Sequence, residues 1–174
     1  MNYHMIRTDD MLNGEGLRVV VFLSGCEHHC FNCHNPETWN CNSGKIFGEE
    51  EVDKICQELE NDYISGVTLS GGDPLYPSNL PDVYNLLTLI KTKFPNKNIW
   101  LYTGYTLESI IDNVNENSTC RKRNDVINLC DVIVDGEFDD SLADVNYPWA
   151  GSTNQNFWDN VNGMWKKRNY SNNK

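Results

Sequence analysis

Three cysteines, Cys26, Cys30 and Cys33, follow the apolar run Val19-Val20-Val21-Phe22-Leu23 at C-x3-C-x2-C spacing. Their thiolates are soft ligands that suit an iron–sulfur cluster or zinc. A closed structural zinc site takes four protein ligands, and a [4Fe-4S] cluster commonly takes four cysteines. Three thiols on one loop therefore leave two chemistries open. One is a cluster with an iron free to bind something else. The other is a zinc site completed by Cys41, His34, His28 or His29. No second C-x2-C pair is present to close a zinc ribbon.

A second segment with chemical potential is Ser70-Gly71-Gly72-Asp73-Pro74, directly after Val67-Thr68-Leu69. Adjacent glycines let the backbone approach a ligand closely or take positive φ. An ordinary strand-to-loop turn has the same composition.

The elements that hold these segments read as alternating strands and helices. Residues 18–24, 67–69, 99–102 and 132–134 are short apolar or β-branched runs of strand type. Val52, Ile55, Cys56 and Leu59 mark one face of a helix over 49–60, with Glu49, Glu50 and Glu51 in its first turn, where the helix dipole favours them. Val83, Leu86, Leu87 and Ile90 mark a helix over 80–93 capped by Asn79. Leu107, Ile110, Ile111 and Val114 mark a third, capped by Thr106. Residues 115–125 read as a polar loop or frayed helix end, and the pattern weakens after Phe138. Such alternation predicts βαβ units and an α/β fold with a mainly parallel sheet. The cysteine loop, Gly71-Gly72, Thr103-Gly104 and Asp135-Gly136 each follow a strand, so all four fall on one sheet edge, where such folds place their ligands.

With 174 residues the chain fits a single domain, taken here as 1–168 with a disordered polar tail at 169–174. Net charge is −11, from 25 acids against 14 bases, which argues against nucleic-acid binding. The short basic runs Arg121-Lys122-Arg123 and Lys166-Lys167-Arg168 read as solvated surface. No apolar stretch approaches the roughly 20 residues of a membrane span, and no signal peptide is apparent, so a cytoplasmic protein is expected. Disulfides are not expected among the seven cysteines. Cys56 and Cys130 read as core residues, Cys120 as exposed, His28 and His29 as loop surface, and Trp39, Trp100 and Trp149 as packing residues.

Taken in order, the motifs resemble the glycyl-radical-activating branch of the radical S-adenosylmethionine enzymes. They are Asn13-Gly14-Glu15-Gly16, Ser24-Gly25-Cys26, Cys33-His34-Asn35 with Thr38-Trp39, and Leu69-Ser70-Gly71-Gly72-Asp73-Pro74-Leu75. Trp100-x-Tyr102-Thr103-Gly104-Tyr105, Val134-Asp135-Gly136 and Gly151-Ser152-x-Asn154-Gln155 complete the series, which spans roughly residues 1–156.

The resemblance implies a partial, open α/β barrel. It implies that Cys26, Cys30 and Cys33 ligate three irons of a [4Fe-4S] cluster and act catalytically through it. The fourth iron would bind the amino and carboxylate groups of S-adenosylmethionine. Gly71, Gly72 and Asp73 would hold the methionine end of that cofactor, and Asn32, Cys33 and His34 would lie near its adenine. One electron from a low-potential donor would cleave the sulfonium to methionine and a 5′-deoxyadenosyl radical. That radical would take a hydrogen from a glycine Cα of a large reductase partner. A different glycyl radical enzyme as target, or a zinc-stabilised binding module, are the alternatives.

Overall fold

The structure is a computed structural model that describes residues 1–169. Strand β2 (Leu17–Leu23) has Val19, Val20, Val21 and Leu23 all fully buried, so both faces of the sheet are covered there. Side chains alternate across a strand, and the two faces meet different partners. Val19, Val21 and Leu23 join Val67 and Leu69 of β4 (Ile64–Gly71), Ile99 and Leu101 of β5 (Asn98–Thr103) and Ile133 of β6 (Val132–Asp135) in the main core. All four helices pack onto that face. They are α1 (Glu49–Leu59), α2 (Leu80–Lys93), α3 (Leu107–Asp112) and α4 (Ser118–Ile127). The opposite face carries a second cluster, Trp100, Val132, Val134 and Phe157, with Tyr102, Tyr147 and Trp149 against it.

The sheet has eight strands in the order β3-β1-β2-β4-β5-β6-β7-β8, adding β1 (Asn2–Asp10), β3 (Lys45–Ile46), β7 (Asn156–Val161) and β8 (Met164–Arg168). Only β2, β4, β5 and β6 run parallel. The pairs β1–β2, β1–β3, β6–β7 and β7–β8 are antiparallel. The expected mainly parallel sheet is thus corrected to a mixed one. Crossover helices fill the connections between the inner strands, whereas β1–β2 and β7–β8 are joined by short links that force reversal, and β7 returns antiparallel to β6 after the segment 136–155. The turn between β7 and β8 is Asn162-Gly163, both at positive φ (54° and 81°), the geometry of a tight two-residue hairpin.

Helices α1 and α2 lie close to their expected spans. Gly48 N donates to the Glu51 carboxylate at 2.8 Å at the start of α1. Thr106 caps α3 as expected, its hydroxyl accepting from Ser109 N at 3.3 Å, although the helix stops at Asp112. Asn79 does not cap α2. Its amide instead donates to Ser24 O (2.8 Å) and Asp73 O (3.1 Å), tying the cysteine loop to the Gly-Gly turn. The polar stretch 115–125, read as a loop or a frayed helix end, is largely a helix of its own, α4, capped by Asn117, with Val126 and Ile127 its buried residues. Of the expected disordered tail, residues 170–174 lie outside the described residues. No helix among the described residues is long and apolar enough to cross a membrane.

Candidate functional site

Beyond β2 the chain leaves the sheet at Gly25 (φ +101°), and backbone bonds fix the loop from outside. Gly25 N donates to Thr38 O (2.7 Å) and Cys26 N to Trp39 O (3.0 Å), so the loop closes on the 3-10 turn Pro36–Thr38. From the neighbouring strand, Gly72 N donates to Leu23 O (2.8 Å) and Asp73 N to Gly25 O (2.7 Å). These bonds explain the double glycine. A Cβ on Gly71 would lie 2.6 Å from Leu23 N, and one on Gly72 would lie 2.5 Å from Gly25 O. The glycines are therefore required first by the chain's own backbone, since the cysteine loop rides directly on the end of β4.

The strand ends surround a cavity of about 390 Å³. Its wall includes Cys26, Cys30 and Cys33, the turn Ser70 to Asp73, Thr103 and Gly104 beyond β5, and Gly136 beyond β6. The four segments expected at one sheet edge do meet there. Leu12, Asn13 and the segment from Phe138 to Gln155 complete the wall. That segment is pinned by Gln155, whose carbonyl accepts from Gly151 N (2.9 Å) and Ser152 N (3.2 Å) while its amide donates to Gly136 O (3.0 Å). Tyr102 OH donates to Trp149 O at 2.5 Å. Trp149 stands edge-on to Trp100 at 5.9 Å, in keeping with packing roles for both.

On the helix-free face Arg18, fully buried, donates to neutral acceptors: Thr68 Oγ1, Asn98 Oδ1 and the carbonyls of Glu15, Val67 and Asn98. Burial pulls its guanidinium down to about 10. Its guanidinium carbon lies 5.4 Å from the centroid of the Trp100 ring, which belongs to that second cluster.

His34 lines the cavity, its ring tilted against Phe138 at 4.8 Å. Asn32 does not line it. It is exposed at positive φ (53°), and its amide donates to Asp140 Oδ2 at 3.1 Å. Asp73, 1% exposed, lines the cavity with its carboxylate fully engaged. Leu75 N (2.8 Å), Gly104 N (3.0 Å), Thr103 Oγ1 (3.0 Å) and the His28 ring (2.8 Å) all reach it.

His28 corrects the surface expectation. Both of its ring nitrogens face carboxylates, Asp73 at 2.8 Å and Glu137 at 3.0 Å. Burial opposes its protonation, but Asp73 and Glu137 outweigh that and raise its pKa. Nothing in the sequence separates such a histidine from its exposed neighbour His29, which stacks on Trp39 at 4.8 Å. Arg123 also departs from the solvated reading. Its guanidinium lies 3.8 Å over the Tyr105 ring and donates to Leu75 O at 3.1 Å. Cys56 and Cys130 are buried as expected, and Cys120 is half-buried rather than exposed.

Of the zinc-completing candidates, His28 and His34 line the cavity, whereas Cys41 sits against Gly25 and Tyr76 outside it. Among the described residues no three His, Cys, Asp or Glu side chains converge on one point where a single metal ion could sit. The donor set does fit a cluster with an open iron: three soft thiols share one cavity wall, with no fourth cysteine beside them among the described residues. Burial pushes the Cys26 thiol up to about 11 and raises Cys30 too, so either thiolate would need a positive charge beside it.

A family model described as "4Fe-4S single cluster domain" matches residues 12–158. A protein of Enterobacteria phage T4 is 42% identical over 166 residues, covering 95% of this chain and 99% of its own length. Proteins of Vibrio cholerae and Escherichia coli K12 are each 41% identical over 157 residues, covering 89% of this chain and 96% of their own lengths. All three relatives are named anaerobic ribonucleoside-triphosphate reductase-activating protein.

Proposed function

The chain belongs to the family of anaerobic ribonucleoside-triphosphate reductase-activating proteins, and on that ground we propose that it installs a glycyl radical in the large subunit of an anaerobic ribonucleoside-triphosphate reductase. Its cofactors are a [4Fe-4S] cluster and S-adenosylmethionine. The observation that carries the reading is the wall of three thiols in an open cavity at the parallel strand ends. When bound, these groups supply one-electron reductive cleavage of the sulfonium and removal of a hydrogen atom from the partner's glycine.

The chain's own residues hold and orient. Cys26, Cys30 and Cys33 would hold the cluster through three of its irons, and the iron left open would be available to the methionine moiety of S-adenosylmethionine. Gly71 and Gly72 set the cysteine loop on the end of β4 and line the cavity, and their turn would hold the methionine end. Asp73 acts through its hydrogen bonds to His28, Thr103 and Gly104, holding three loops together. Cys33 and His34 would lie near the adenine, and Asn32 would contribute through its backbone, since its side chain bonds Asp140. Residues 1–168 work as one domain, a partial open α/β barrel whose helix-free face is filled by Trp100, Phe157 and Arg18. The reaction takes place in the cytoplasm with a low-potential electron donor, and the acidic surface offers nucleic acid no basic footprint.

The test is anaerobic reconstitution with iron and sulfide, followed by reduction and mixing with S-adenosylmethionine and the reductase. A brown protein, 5′-deoxyadenosine and an organic doublet in the electron paramagnetic resonance (EPR) spectrum of the reductase are expected. A colourless protein that holds one tight zinc and cleaves nothing would refute the reading. A doublet only with a different glycyl radical enzyme would move the target and keep the chemistry.

A further inference from the structure

The three residues between Cys26 and Cys30 are more than a spacer. His28 lies among them with its side chain only 8% exposed. Its Nε2 meets Asp73 Oδ2 at 2.8 Å and its Nδ1 meets Glu137 Oε1 at 3.0 Å. The ring stands edge-on to Tyr105 at 4.6 Å. It lies so close over Gly104 that a Cβ there would come within 2.5 Å of it. These contacts come from beyond β4, beyond β5 and beyond β6, whereas the loop itself hangs from β2. One side chain thus ties the loop across the whole parallel edge.

The backbone leaves that work to the side chains. Cys26 N is held by Trp39 O, and Cys33 N by Cys30 O. Between them, residues 27–29 make no backbone–backbone hydrogen bond among the described residues. Glu27 adds a second tie, to Tyr105 OH and Arg123. Moving His28 therefore shifts the stretch of chain that joins Cys26 to Cys30, and the surroundings of cluster sulfurs tune a cluster's electronic properties.

We propose that His28 is a positioning residue for the [4Fe-4S] cluster, fixing the Cys26 and Cys30 thiols relative to the Gly71-Gly72 turn by bridging Asp73 and Glu137. The proposal rests on the reading that the three cysteines hold a cluster. Site geometry is sensitive to such support, since a shift of about 1 Å can cost ~100-fold in rate.

The experiment uses the full chain and the variants His28→Ala, His28→Gln and Glu137→Ala, each reconstituted anaerobically. Three quantities are read: iron per chain, the EPR spectrum of the reduced cluster with and without S-adenosylmethionine, and 5′-deoxyadenosine formed per cluster without the reductase. His28→Ala keeps its three cysteines and is expected to load iron. Its reduced spectrum should split into overlapping species, and cleavage per cluster should fall about tenfold or more. His28→Gln, whose amide can still donate to Asp73, should restore a single species and cleavage within about threefold of wild type. Glu137→Ala should fall between the two, and it decides the matter with His28→Gln if His28→Ala does not fold. Wild-type spectra and rates in every folded variant would overturn the role of His28 alone. A wild-type chain that assembles no cluster would overturn the earlier reading, and this proposal with it.

Discussion

Replacing Gly72 with Ala should act on the cysteine loop without touching a thiol. The new Cβ would stand 2.5 Å from Gly25 O and 3.1 Å from Thr38 O, both backbone atoms that cannot swing aside. Relief requires the loop to lift from the end of β4, which strains the bond from Asp73 N to Gly25 O, now 2.7 Å. Overpacking of this kind costs about 1–3 kcal/mol, and losing a backbone hydrogen bond adds roughly 1 kcal/mol. A total of about 2–4 kcal/mol corresponds to a melting temperature lowered by roughly 4–16 °C in a chain of this size. Thermal unfolding of the metal-free chain measures it, and visible absorbance after reconstitution reports on the site. The comparison is Gly163→Ala in the β7–β8 turn. There the cost is backbone strain alone, at φ +81° with nothing within 4 Å, and cluster loading should stay at wild-type level. Should Gly72→Ala melt within about 1 °C of wild type and load iron equally well, the claim that the glycines seat the loop is wrong.

Cys41→Ala should retain full iron content after reconstitution and Cys30→Ala should lose the reduced-cluster signal, because Cys41 lies outside the cavity wall that Cys30 shares; iron assay and EPR decide. Glu51→Gln should flatten the acid limb of stability. Hydrogen bonds from Gly48 N and then Tyr3 OH hold the Glu51 carboxyl below its ordinary value of 4.5. A carboxylate lowered in the folded state contributes stability fully present above that ordinary value and lost as pH falls through the folded one. Urea unfolding of wild type and variant across that window should show the two curves converging as the acid is titrated.

The inner strands were readable as continuous apolar runs because both their faces are buried, and the first three helices because each buries one regular face: Val52, Ile55 and Leu59 on α1, and Val83, Leu87 and Ile90 on α2, repeat at helical spacing. Helix α4 escaped because only Val126 and Ile127 are buried and the rest is polar. Strand β1 mixes His4, Arg7, Thr8 and Asp9 into an outer strand with few buried positions, and β7 and β8 are similarly polar. Their hairpin did carry a legible mark in Asn162-Gly163, a dipeptide suited to the positive φ angles it adopts. At the site, the residue types of the cysteine loop and the Gly-Gly turn were evident, and so was their common edge. The reason for the glycines was not, because it lies in Leu23 and Gly25, about 47 residues away in sequence. His28 needed the fold as well, since Asp73 and Glu137 reach it only when three strand ends are brought together.

The cysteine loop owes its shape to bonds made on its outer side, by Gly25, Cys26, Gly72 and Asp73 through their backbones and by Asn79 through its amide. These bonds join backbone and amide groups and run through none of the three cysteine sulfurs. Metal is thus an addition to the scaffold and not its keystone. Oxygen that strips out the iron would leave a folded receptacle, and repair becomes a matter of resupplying iron and sulfide in place of synthesising a new chain.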